Sequence, residues 1–131
     1  MFSRKKQPLI KSLIAKGTSV HGNVSFSDGL RIDGEVRGDV RAGGERSIVV
    51  ISDSAVVQGA VHAAHVIVNG MVQGPVHAGE LLELQPRGRV TGDVHYKMLE
   101  MHQGAVIAGQ MFPSEMLLEG VPQLKLASSA D

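Results

Sequence analysis

Apolar and polar residues alternate in short bursts along most of this chain, and the bursts lead into one recurring phrase, small-x-Val-x-Gly-x-Val. Four copies are regular, at residues 34–40, 55–61, 70–76 and 88–94; two copies one residue longer flank them, at 17–24 and 104–111. The central glycines Gly22, Gly38, Gly59, Gly74, Gly92 and Gly109 lie 16, 21, 15, 18 and 17 residues apart. Within each phrase the two valines are four residues apart, so on a strand both face the same side, with the glycine between them. A second alternating burst precedes most phrases: Leu30-Arg31-Ile32, Val49-Val50-Ile51, Val66-Ile67-Val68, Leu82-Glu83-Leu84 and Leu99-Glu100-Met101. Two or three short strands per repeat, separated by bends, predict one coil of a β-solenoid.

Stacked coils place like residues over like residues, giving valine columns inside and polar columns outside. The predicted inward set is Val24, Val36, Val40, Val57, Val61, Val72, Val76, Val90 and Val94. The expected fold is all-β, a right-handed parallel β-helix of about six coils over residues 17–112. Left-handed hexapeptide helices keep a six-residue rhythm on every side. Here the spacing wanders from 15 to 21 residues, which favours the right-handed type.

Composition supports a thin aliphatic core. The chain has 131 residues, no cysteine or tryptophan, and 3% aromatics, so the core rests on Val, Leu, Ile, Ala and Met. The missing thiols exclude disulfides and thiolate metal sites, and no apolar run reaches the length of a membrane-spanning helix. Residues 113–131 hold an apolar patch at Met116-Leu117-Leu118 and end in small polar residues that read as a disordered tail. Charge is unevenly placed: Arg4, Lys5, Lys6, Lys11 and Lys16 mark residues 1–16 as a flexible basic arm. That leaves eight basic against thirteen acidic residues elsewhere. A body with this acidic balance speaks against nucleic acid as a partner.

A solenoid buries strand edges only where another coil covers them. The sequence offers no convincing cap, and its end coils carry apolar residues. Val20, Val24 and Phe26 are the candidate contact residues at the N-terminal end; Val106, Ile107, Met111 and Phe112 are those at the C-terminal end. These predict end-to-end polymerisation, each joint continuing the internal ladder. The competing reading has residues 113–120 folding over the last coil to close it.

Motifs for chemistry are sparse. No Gly-x-x-x-x-Gly-Lys-Ser/Thr phrase occurs, so assembly driven by nucleotide has no sequence support, and no cofactor is expected. His62, His77 and His95 each follow the closing valine of a repeat, which predicts an outward column of imidazoles. The simplest reading of that column is a repeat-derived surface ladder. Asp39 and Asp93 share another equivalent position and read as solvated. An enzymatic alternative, a hexapeptide-type acyltransferase or a β-helix subunit with an active site between protomers, needs a positioned histidine and an acyl-donor groove; the uneven repeat and the absence of a long excursion loop weigh against it.

The Gly-x-Val-x-Gly-x-Val phrases and the run from Leu30 to Val40, Leu-Arg-Ile-Asp-Gly-Glu-Val-Arg-Gly-Asp-Val, resemble a bactofilin over about residues 13–112. The resemblance implies a bacterial cytoskeletal protein. It implies nucleotide-free filaments without polarity, joined head to head and tail to tail. It also implies association with the inner face of the cytoplasmic membrane and the positioning of cell-wall or cell-shape proteins. Met1-Phe2-Ser3-Arg4-Lys5 is similar to the membrane-targeting segment of some members. Phe2, with Leu9 and Ile10, can enter the headgroup region, while Arg4, Lys5 and Lys6 meet anionic lipid at about 1 kcal/mol each.

Overall fold

A computed structural model describes residues 9–114. The expected tail and its patch at Met116–Leu118 lie outside the described residues, as do Met1, Phe2, Arg4, Lys5 and Lys6. The described chain is a parallel β-helix of about six coils with three strand-lined sides. The strands of the larger sheet are β1 (Ser12–Ile14), β3 (Val24–Ile32), β5 (Val40–Ile51), β7 (Val61–Val68), β9 (Val76–Leu84), β11 (Val94–Tyr96), β12 (Met98–Met101) and β14 (Met111–Pro113). They form one parallel sheet in the order β1-β3-β5-β7-β9-β11-β14, with β12 also on β9. The short strands β2 (Ser19–His21), β4 (Glu35–Arg37), β6 (Val56–Gln58), β8 (Met71–Gln73), β10 (Arg89–Thr91) and β13 (Val106–Ala108) form the second sheet, in coil order.

The larger sheet covers two sides because its long strands bend. Register shifts at Ser27/Gly29, Arg41/Ile48 and Ala63/His65 mark that bend. The first side stacks Val24, Val40, Val61, Val76, Val94 and Met111; the second stacks Ile14, Ile32, Ile51, Val68, Leu84 and Met101. The third stacks Val20, Val36, Val57, Val72, Val90 and Ile107. Each side therefore has six rungs, about 25 Å from first to last at the usual strand spacing.

Eight of the nine predicted inward valines are fully buried, and Val24, on the first rung, is half-buried against the core. Burying each such side chain contributes about 1.5–3 kcal/mol before entropy. The phrase around each glycine is a corner rather than one strand. In the first regular copy, Val36 is the middle residue of β4 and Val40 opens β5, so the two valines face inward from different sheets. The glycine is required by its neighbour: a Cβ on Gly38, Gly59, Gly74, Gly92 or Gly109 would collide with the carbonyl of the glycine one coil earlier.

Beside this glycine column runs a column of side-chain acceptors. Asn23 Oδ1 accepts the Asp39 N–H, Asp39 Oδ1 accepts that of Ala60, and Asp93 Oδ1 accepts that of Gln110, each at 2.9 Å. Asp39 and Asp93 thus tie coils together instead of merely facing solvent. Ala60 offers no acceptor at this position, and the residue over it is Pro75, which has no N–H to satisfy.

The expected basic arm ends earlier than residue 16. Ser12–Ile14 pairs in register with Leu30–Ile32, and Thr18 N–H donates to the Ala15 carbonyl at 3.0 Å, closing the turn into β2. Lys11 belongs to this coil too, through a 2.9 Å ion pair with Asp28.

Candidate assembly surfaces

The two cross-sections of the rod are the candidate site. At the N-terminal end Val20 stacks on Val36, Val24 on Val40 and Phe26 on Ala42. All three are half-buried and pack against the core on one side only. Ile14 completes this cross-section, while Leu9, Ile10 and Leu13 beside it are exposed, Leu9 at 70%. Sequence reasoning placed these four in the arm. The signal was present: Leu13-Ile14 repeats the Arg31-Ile32 position, hidden by the lysines on either side.

At the C-terminal end the four predicted residues divide. Ile107 continues the third-side column over Val90, and Met111 continues the first-side column over Val94. Val106 sits over Arg89 and Phe112 over His95, both in outward columns. Met101 and Leu99 fill the second side of this end; Met101, Met111, Val106 and Phe112 are all two-fifths exposed or more. Among the described residues, no strand lies beyond either terminal rung. A closing fold of residues 113–120 falls almost wholly outside the described residues.

The histidine column takes the predicted form. The rings of His62 and His77 stack at 4.3 Å, those of His77 and His95 at 4.5 Å, and Phe112 closes the stack on His95 at 4.7 Å, all within 13° of parallel. Arg41 occupies the rung before His62. Desolvation holds His62 below the usual imidazole pKa; Arg41 adds to the effect and Asp39 opposes it. His77 is lowered by desolvation first, then by its neighbours His62 and His95 and by Arg41. Next to the column, the longer bend of β5 forms one wall of a depression of about 460 Å³ lined by Glu45, Ser47, His62, His77 and Glu80 among others.

Near the last rung, ligand atoms of Glu83, Glu100 and His102 lie within 4.8 Å of one another, and His102 Nε2 is 3.4 Å from Glu83. In the same corner column as His102 but nearer the N-terminal end, the Ser52 hydroxyl lies 3.0 Å from the Ile32 carbonyl and donates to Asp33, whose carboxyl is lowered chiefly by that bond.

A family model described as Bactofilin, polymer-forming cytoskeletal, matches residues 12–111, from the first strand into the last. The chain belongs to the bactofilin family. Its polymer-forming cytoskeletal character follows from that membership. Among curated relatives, bactofilin BacO of Myxococcus xanthus is 24% identical over 84% of this chain and 85% of its own length. Bactofilin BacP of the same organism is 27% identical over 76% of this chain but only 40% of its own length. No solved structure matches. Among the described residues of this bactofilin, no helix is long and apolar enough to cross a membrane.

Proposed function

We propose that this bactofilin polymerises by end-to-end stacking of its β-helix, without nucleotide, into filaments joined N-terminal end to N-terminal end and C-terminal end to C-terminal end. The observation that carries this reading is the pair of cross-sections. Each presents three strands with a neighbour on one side only, and the apolar columns of the core run out into them half-exposed. A strand edge with open backbone groups over an apolar section is a template for another strand. Joining two such ends removes both edges from water and prolongs the columns.

The filament is a scaffold at the inner face of the cytoplasmic membrane, where it positions cell-wall or cell-shape proteins. Met1, Phe2, Arg4, Lys5 and Lys6 supply the lipid contact. One arm binds weakly, and a filament that displays many gains by avidity. The scaffold reading draws support from the cytoskeletal family and from the absence of a phosphate-binding loop motif.

Electron microscopy of the purified full chain, with no nucleotide added, tests the assembly. Filaments are expected; discrete trimers would favour the acyltransferase alternative. Pelleting with anionic liposomes tests the arm. Deleting residues 1–8 is expected to abolish co-sedimentation while filaments persist, and equal pelleting of both forms would reject the anchor.

A further inference from the structure

We propose that Glu83, Glu100 and His102 bind a transition-metal ion of the Zn²⁺ type at the C-terminal end of the second side. The ligand class follows from the donors. One imidazole nitrogen with two carboxylate oxygens suits Zn²⁺ or Co²⁺, whereas Mg²⁺ keeps to oxygen ligands and its own waters. Water fills the remaining position.

The topology brings the three residues together. Glu83 of β9 and Glu100 of β12 are in-register partners in the outward column of this side, one strand spacing of about 4.8 Å apart. Like charges directly opposite on neighbouring strands repel. The two rungs before Glu83 hold Val50 and Ile67 in this column rather than a cation. His102 follows β12 at the corner, where its backbone N–H donates to the Leu84 carbonyl at 2.9 Å. That bond sets the imidazole beside Glu83. Unlike the face-stacked rings of His62 and His77, it turns a ring nitrogen toward a carboxylate oxygen.

The spacing is that of ligands around an ion. A good N–H···O hydrogen bond spans about 2.9–3.0 Å. Two ligands of a tetrahedral ion lie about 3.4 Å apart, and His102 Nε2 is 3.4 Å from Glu83 Oε2. All three ligand atoms lie within 4.8 Å of one another. Glu100 is exposed, so a small change in its side-chain torsions closes the set. Glu83 is the fixed member. Its side chain is only 20% exposed, and Gln85 Nε2 donates to its carboxylate at 3.2 Å, the kind of outer hydrogen bond that orients a ligand. A bound ion would cancel the repulsion between Glu83 and Glu100 and tie the last rung of the second side to the one before it.

Calorimetric titration of the full chain with Zn²⁺ alone tests the site, together with zinc-edge X-ray absorption of the loaded protein. One ion per chain is expected, ligated by a single imidazole. It should raise the thermal unfolding temperature, since only the folded chain holds the three donors together. His102→Gln should weaken binding by about tenfold or more and cancel the thermal shift. Glu100→Gln should weaken it while leaving the circular dichroism spectrum unchanged. His77→Gln, in the stacked column, should change neither binding nor the thermal shift. Binding that is unaltered by His102→Gln or Glu100→Gln, or that disappears with His77→Gln, overturns the proposal. So do ligation by two imidazoles, Mg²⁺ binding as tight as that of Zn²⁺, and an absence of binding by wild-type chain whose spectrum shows it folded.

Discussion

The glycine at each corner is held there by the glycine below it. A methyl group on Gly59 would meet the Gly38 carbonyl and carbon, which are backbone atoms with no rotamer to change. Gly59→Ala is therefore expected to cost about 3 kcal/mol or more, since the backbone of one coil must shift to admit the methyl group. Gly43→Ala, where the nearest atom is the Phe26 carbonyl oxygen at 3.8 Å, should change stability by less than about 0.5 kcal/mol. Denaturant unfolding of the two variants gives the comparison, and similar losses would show that corner spacing is not the constraint. Asp39→Ala removes the acceptor of the partly buried Ala60 N–H and is expected to cost about 1 kcal/mol. The glycines were legible as repeat markers, and a glycine between two inward valines already signals a bend and close backbone approach, but the partner it approaches was not legible. A spacing pattern records which residue recurs, not which backbone atom of another coil lies against it. For the same reason Asp39 and Asp93 read as solvated.

At the scale of the strand, alternation served well where both neighbours of a rung are present. The second-side and third-side columns could be written from the sequence because valine, leucine and isoleucine recur at the same parity. It failed at the ends. Ser12–Ile14 has a single apolar inward residue and lies between Lys11 and Lys16, so its charge outweighed its pattern. Val106 and Phe112 were placed with Ile107 and Met111 because apolar character alone does not tell the outward side of a rung from the inward one. The histidine column was legible because its position, immediately after a closing valine, has only one direction to face. It carries a pH prediction. His62 and His77 are held below the ordinary imidazole value of 6.5, chiefly by desolvation, so as pH falls the unfolded chain takes up these protons first. Their contribution is complete above that value and is lost as pH drops through the lowered folded values. Thermal stability should stay level from pH 8 to the ordinary value and then decline. A His62→Gln/His77→Gln chain should lose most of that decline; an identical slope in both proteins would assign it to other groups.

For the whole molecule, the two cross-sections differ chemically, and that gives a test of how they join. If like ends meet, blocking one end stops growth at the dimer held by the other joint. Val20→Arg and Ile107→Arg should each yield dimers by analytical ultracentrifugation, and the double variant monomers. If unlike ends met, either single variant alone would yield monomers. Filaments from the double variant would place the contacts elsewhere.

Six rungs on each of the three sides mean that the described rod holds a whole number of turns. A coil climbs one strand spacing, about 4.8 Å, per turn, so each end carries a single step of that height where the chain enters or leaves the helix. At the N-terminal end the step falls beside Ile14 of β1, and at the C-terminal end beside Met111 of β14. The step acts as a key: two ends close against each other without a gap in one rotational setting, although three strand edges alone would offer three. Neighbouring rods in a filament should therefore keep one azimuth, and giving Met101, Ile107 and Met111 the same side chain should leave that azimuth unchanged.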